Sequence, residues 1–160
     1  GHHNLKELEK YFNIHIITQN VDVLHEKAES SNVLHLHGEL RKVRSIVNKD
    51  IILNWSKDLH LGDFDSVGNQ LRPHIVWFGE EVPMMDTAIE IVRQADILVI
   101  IGTSMQVYTA ASLVNYIKRN TPVYSIDPNP SIEKNQYQNI TIIKSGAETG
   151  TEELIKMLIY

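Results

Sequence analysis

The 160 residues include no cysteine, which excludes a disulfide framework and every thiolate metal site. No apolar stretch approaches the roughly 18 residues that a membrane span requires. The N-terminus also lacks the basic-then-apolar pattern of a signal peptide, so the expectation is a soluble, cytoplasmic protein with no membrane partner. An excess of positive charge is missing too. Lys and Arg number 15 against 20 Asp and Glu, a net charge of -5, and that leaves no basic footprint for nucleic acid. There is no internal repeat and no low-complexity tract.

What is present is an ordinary globular composition, 42% apolar and 22% charged. The length suits one core of normal size. Asn4 with Glu7 three residues later fits a capping box, and Leu5, Leu8 and Phe12 fall at helical spacing, so a first helix is expected. Apolar runs at 14–18, 33–37, 74–78, 96–102, 122–127 and 140–144 then alternate with helical patterns at 86–95, 109–119 and 150–159. Continuous Ile and Val runs separated by helices indicate a parallel sheet covered on both faces. The fold expected is a doubly wound, Rossmann-like α/β core made of residues 1–40 and 74–160. Residues 41–73, polar and weakly periodic, are expected to form a small inserted lobe packed by Ile46, Val47, Ile52, Leu53 and Trp55.

Ligands of open parallel sheets bind beyond the carboxyl ends of the strands, and the polar side chains of this sequence collect there. TQNVD follows the first strand, HGE the second, GTS the run ILVII, and DPN the run VYSI. Gly102, Thr103 and Ser104 allow close backbone approach to a phosphate or ribose and offer hydroxyls, although a plain tight turn would read the same way. Gln19 and Asn20 could equally satisfy the backbone of a turn. His35 and His37 would share one strand face, and a lone strand histidine is more often structural than catalytic. Of the neighbours Trp77 and Phe78, one is expected in the core, because adjacent strand residues point to opposite faces. His25 is read as packing or capping, His60 and His74 as surface, and the Glu80–Glu81 pair as a solvated strand end.

Taken in order, the segments TQNVDVLHEKA, LHLHGEL, PHIVWFGEEVP, GTSMQVYTAASL and SGAETGTEEL resemble the motifs of the sirtuin family of NAD-dependent protein lysine deacylases over nearly the whole chain. Position by position, the resemblance implies that Gln19, Asn20 and Asp22 line the nicotinamide and its ribose, Asn20 and Asp22 ordering the reacting end of NAD. It implies His37 as catalytic base, and Gly102, Thr103, Ser104 and Val107 at the phosphates and the adenine-side ribose. Asp127 would meet that ribose and Ala147 the adenine, while Val76, Trp77, Phe78 and Gly79 would pair with the substrate peptide as an added strand. The partner implied is an acylated lysine in a protein or peptide. The products would be free lysine, nicotinamide and O-acyl-ADP-ribose.

Four departures qualify the resemblance. The family's first strand and its Gly-Ala-Gly-x-Ser loop have no counterpart before Gly1. The chain therefore looks like an N-terminally truncated sirtuin, expected to be inactive by itself. Where most sirtuins hold a four-cysteine structural zinc, residues 41–73 carry no cysteine and no zinc is expected; Asp58, His60, Asp63 and Asp65 read as solvated loop residues. Tyr108 and Thr109 replace a residue and then Pro of the family pattern, and Asp127 stands at a position that is commonly Asn. Two other function classes stay open: an ADP-ribosyltransferase or NAD hydrolase using the same ribose site, and a non-catalytic nucleotide-binding module.

Overall fold

The computed structural model describes residues 1–103, 111–130 and 139–160. In chain order the elements are α1 (His2–Leu8), β1 (Ile16–Thr18), α2 (Leu24–Lys27), β2 (Val33–His35), β3 (Gly38–Ser45), β4 (Ile52–Asn54), β5 (Leu71–Ile75), α3 (Met85–Gln94) and β6 (Leu98–Ile101). A short 3₁₀ helix (Ser112–Tyr116), β7 (Val123–Ile126), β8 (Ile140–Ile143) and a last helix, α4 (Ala147–Ile159), complete the described residues.

The parallel strands form two ladders, β1–β2 and β6–β7–β8, while β4–β3–β5 is an antiparallel sheet. Strand alternation explains why β6 is apolar throughout. Val99 and Ile101 pack toward Leu8 of α1 and Leu154 of α4, whereas Leu98 and Ile100 pack toward Val114 of the 3₁₀ helix. Both faces of that sheet are covered, which is the layer rule for a Rossmann-like α/β fold. A third cluster joins Ile17 of β1, Leu34 of β2 and Leu36 to Ala88 and Val92 of α3 and to Leu113. Ile117 contacts both this cluster and the one beneath β6, so a single helical layer underlies both parallel ladders.

Several expected boundaries move, each for a local reason. The strand expected at 33–37 ends at His35, because the chain turns at Leu36 and His37 and re-enters as β3 with Gly38 at φ 83°. The strand expected at 74–78 is instead Leu71–Ile75; it begins at buried Leu71 and stops where the Trp77 N–H turns to the Glu80 carboxylate. As a result neither Trp77 nor Phe78 enters the core; Trp77 is 55% exposed and Phe78 fully so. The capping box fails as well. α1 is capped by Gly1, and the Asn4 amide instead donates across to the Glu148 carbonyl and Thr151 Oγ1 of α4. α4 starts at Ala147, three residues before the apolar periodicity suggests. Of the helix expected at 109–119, Ser112–Tyr116 form a 3₁₀ helix, and the chain leaves it at Ile117.

The lobe is the largest correction. Ile46, Val47, Ile52 and Leu53 are all exposed, and only Trp55 is half-buried, with Lys57 Nζ lying 4.6 Å from its ring centre. Polar cages hold the lobe instead. Asp65 is buried rather than solvated and accepts from the Val67 and Asn69 N–H groups and from Asn69 Nδ2, at 3.0, 2.8 and 3.1 Å. Burial pushes its carboxyl up, but these bonds and one from Ser45 outweigh that and hold it at about 2. Gln70 Nε2 donates to the carbonyls of His60, Asp63 and Leu71, and its Oε1 accepts from the Gly62 N–H. Asp63 accepts from the His60 N–H. Asp58, His60, Asp63 and Asp65 do not converge as metal ligands, and no such cluster occurs among the described residues.

Gly38 is the one position where β2 can hand over to β3. Its positive φ disfavours any side chain, and a Cβ there would run into the His74 carbonyl. Gly38→Ala is expected to destabilise the fold by roughly 2 to 4 kcal/mol, combining backbone strain with displacement of β5. Urea unfolding of the variant beside wild type measures it.

Candidate active site

β1 ends at Thr18, whose Oγ1 accepts the Asn20 N–H at 3.1 Å and bends the chain out of the strand. The two carbonyls exposed by this bend each receive a histidine. His37 Nδ1–H donates to the Gln19 carbonyl at 3.1 Å, and His35 Nδ1–H to the Asn20 carbonyl at 2.9 Å. Leu36, between them, is buried and donates its N–H to the Thr18 carbonyl. Asp22 Oδ1 accepts the Leu24 N–H at 2.9 Å and starts α2. The Asn20 side chain is exposed. The Gln19 side chain is half-buried, and its Nε2 is a buried donor with no partner among the described residues.

The histidines differ in their second nitrogen. His35 Nε2–H donates to Glu26 Oε1 at 2.8 Å, so both of its nitrogens face acceptors and the doubly protonated ring satisfies both bonds. Burial pushes the His35 pKa down, but the Glu26 carboxylate and the Asn20 carbonyl outweigh it and the net movement is upward. Burial pushes the Glu26 carboxyl up, but the bond to His35, a backbone hydrogen bond and the charges of His35 and His25 together outweigh it and move it below the usual carboxylate range. His37 has its protein partner at Nδ1, and Nε2 has none among the described residues. His25 stacks edge-on against His2, ring centres 4.5 Å apart, and burial, followed by the charge of His2, pushes its pKa down. His74 is half-buried rather than a surface residue, and its Nδ1 is a buried atom without a partner among the described residues.

Residues 76–80 adjoin this cluster. The Val76 N–H donates to the His37 carbonyl at 2.9 Å, after which the chain turns so that Trp77 and Phe78 face solvent and Gly79 adopts φ 87°. Glu80, expected to be a solvated strand end, closes that turn: it accepts the Trp77 N–H at 3.0 Å, and its own N–H donates to the Trp77 carbonyl. Arg72 Nη1 and Arg44 Nη2 meet its carboxylate at 2.6 and 3.3 Å. The carboxyl is held at about 2, chiefly by Arg72 and then by the Trp77 N–H. Sequence reading missed Glu26, Arg44 and Arg72. Apart from Arg72 lying eight residues before Glu80 across a turn, nothing in the spacing signals these pairs.

The remaining candidates sit at the ends of the other parallel ladder. Gly102 follows β6 with φ 59° and, among the described residues, nothing within 4 Å of where a Cβ would stand, its N–H donating to the Ile126 carbonyl at 2.9 Å. Thr103 is half-buried beside it. Asp127, at the end of β7, turns its Oδ1 to the Asn129 N–H at 2.7 Å. Ala147 is the exposed first residue of α4. Ser104 and Val107 lie outside the described residues, as do Tyr108 and Thr109. A shallow concavity of about 590 Å³ beside α1, reaching Lys27, Ala28 and Glu29, includes none of these residues.

The His35–Glu26 pair makes a pH prediction. A histidine with a raised folded pKa stabilises fully below its unfolded value near 6.5, and that stabilisation is lost as pH rises through the raised value. Glu26 has its pKa lowered from 4.5, so its share is present above 4.5 and lost as pH falls through the lowered value. The pair therefore stabilises most between about 4.5 and 6.5. His35→Gln is expected to flatten the stability profile on both sides of that window, measured by thermal unfolding from pH 4 to about 8.

The Sir2 family profile matches residues 1–109. An NAD-dependent protein deacylase of Helicobacter pylori (strain ATCC 700392 / 26695) is 49% identical over 161 residues, covering 99% of this chain and 69% of its own. Among solved structures, a Sir2 homologue variant bound to ADP-ribose superposes with a TM-score of 0.84 at 36% identity, covering 97% of this chain and 64% of its own. A Sir2 homolog–NAD complex does so at 0.83 and 34% identity, covering 98% and 62%. The chain thus spans slightly under two thirds of those two structures and slightly over two thirds of the Helicobacter protein. With the family profile matching most of its residues and a deacylase of nearly half identity along almost all of them, the chain belongs to the Sir2 family.

Proposed function

We propose that this chain carries the histidine base, part of the nucleotide site and the peptide-facing turn of an NAD-dependent protein lysine deacylase. The observation that carries the reading is the tautomer of His37. With Nδ1–H donated to the Gln19 carbonyl, the lone pair lies on Nε2, the nitrogen without a protein partner among the described residues, as a general base requires. His35, bonded at both nitrogens, is unsuited to that role.

Two features fit a dinucleotide. The buried Gln19 amide lacks an acceptor among the described residues, and the open backbone at Gly102 admits close approach of a phosphate or ribose. Gln19, Asn20 and Asp22 would hold the nicotinamide end, and Gly102, Thr103, Asp127 and Ala147 the adenosine end, with Ser104 and Val107 assigned to the same end from the family motif. When bound, NAD supplies a glycosidic bond whose cleavage releases nicotinamide. His37 Nε2 would take the proton from a ribose hydroxyl, and the Gln19 carbonyl, by holding Nδ1–H, would keep the ring in the tautomer able to do so. Asn20 would orient the sugar without adding charge. Asp22, committed at Oδ1 to α2, would shape the loop and accept from the nicotinamide amide through Oδ2. Val76 to Gly79, with Trp77 and Phe78 turned to solvent, would receive an acyl-lysine peptide. Residues 41–73 would stand as a small lobe beside this core, without a structural zinc.

In the full-length protein His37→Ala should lower deacylation by about 10²- to 10⁴-fold while NAD binding by calorimetry is largely retained. Nicotinamide release should suffer less, because the departure step precedes proton abstraction. Near-wild-type deacylation by that variant would reject the reading. Asp127 generates a second expectation. Its Oδ2 is free of the Asn129 turn, so it can bond a ribose diol and would repel a 2'-phosphate. Titration should show tighter binding of NAD than of NADP, and Asp127→Asn should narrow the difference; equal affinities in wild type would count against the placement.

A further inference from the structure

The Arg44–Glu80–Arg72 cluster is not explained by the chemistry above. Arg44 lies on β3 and is 6% exposed, a buried cation whose only carboxylate partner among the described residues is Glu80. Arg72 lies on β5, next to β3, and pairs with Arg44 in the antiparallel register. Two adjacent strands of one sheet therefore aim their guanidinium groups at one carboxylate. That carboxylate stands five residues beyond the end of β5, on the far side of an exposed turn.

The cluster has a backbone consequence. Glu80 Oε2, which meets Arg44 and Arg72, also accepts the Trp77 N–H. Arg72 Nη2 in addition donates to the Ile75 carbonyl at 3.4 Å, at the point where the turn leaves the strand. Both ends of the 76–80 segment are thereby tied to the sheet, while Val76 is tied to His37. Trp77 and Phe78 are exposed and lie outside the buried clusters of the described residues, so little apolar burial holds the turn. Charge-assisted bonds set its shape where the core does not.

We propose that Glu80 is a positioning residue for the substrate peptide: braced by Arg44 and Arg72, it fixes the Trp77–Gly79 turn at the set distance from His37 that an acyl-lysine must span. This rests on the reading that Val76 to Gly79 receive the peptide. Glu80 itself touches no reacting atom. Its removal should act on peptide binding more than on the proton transfer performed by His37.

The test uses the full-length protein, NAD and a short acetyl-lysine peptide. Glu80→Ala should raise the KM for the peptide by roughly 10- to 100-fold, the scale on which misplacement by about 1 Å acts. The KM for NAD should change by less than about threefold on the same scale. Glu80→Gln restores an acceptor for the Trp77 N–H but not the charge, and should recover part of the loss. Because Glu80→Ala leaves Arg44 buried without a counter-charge, Arg72→Gln serves as the second variant: it keeps the Arg44–Glu80 pair and should raise peptide KM in the same direction. Amide exchange at Trp77 should quicken by about tenfold in both Glu80→Ala and Arg72→Gln, a readout that needs no turnover. Wild-type turnover with unchanged peptide KM, or unchanged Trp77 exchange, in both variants would overturn the positioning role alone. A wild-type protein that turns over NAD but deacylates no peptide would remove the underlying reading, and the proposal with it.

Discussion

The site depends on a reversal made in two linking residues. β2 runs parallel to β1, and β3 must leave antiparallel to β5, so the chain has only Leu36 and His37 in which to change partners. Leu36 is anchored by burial against α3 and by its N–H on Thr18. Gly38 supplies the left-handed backbone and lies so close to His74 that no Cβ fits. With both neighbours fixed, His37 has one place to go: its ring meets the Gln19 carbonyl and its own carbonyl meets Val76. The reversal thus brings three chain segments, at residues 18–20, 35–38 and 74–76, to one point.

That constraint explains what was legible in the sequence and what was not. The apolar runs at 96–102 and 122–127 identified β6 and β7 correctly, because burial on both faces leaves a direct trace in residue type. The proposed role of His37 came from the family resemblance, not from periodicity, which treats it like any strand histidine. The pairing of His35 and His37 on one strand face was not correct, because the turn into Gly38 ends the strand earlier than the apolar run VLHLH suggests. Trp77 and Phe78 were misread for a related reason. Alternation assigns one of them inward only if the strand continues, and an ion pair at Glu80, invisible to periodicity, ends it at Ile75.

The lobe shows the same limit from the other side. Its apolar residues looked like a small core, but with Ile46, Val47, Ile52 and Leu53 exposed there is too little buried area to order the loops between β4 and β5. Asp65 and Gln70 do this with hydrogen bonds to backbone, each closing a loop on itself. Such cages have no period and no fixed spacing. A sequence scan sees an Asp and a Gln in a polar stretch and assigns them to solvent. Burial separates the cases: a carboxylate that has lost water must take its bonds from the chain, and Asp65 takes them from residues two and four positions ahead.

These cages also bear on the distant histidine. The Asp65 loop returns the chain to β5 through Asn69 and Gln70, and the Ile46 N–H donates to the Gln70 carbonyl, which sets the register of β5 against β3. A slip of one residue would turn Arg72 to the opposite face of the sheet, away from Glu80. Beyond a register shift between Gly38 and Val43, the same two strands bring the His74 carbonyl over Gly38. The pairing of β3 with β5 therefore carries the arginine brace of the Trp77 turn at one stretch and the reversal that holds His37 at the other, the register shifting between Gly38 and Val43. A polar lobe with few buried apolar side chains can still fix the geometry of the strand ends, because buried Val43 and Leu71 specify the pairing at Arg72 and hydrogen bonds of defined direction close the loops that lead into it.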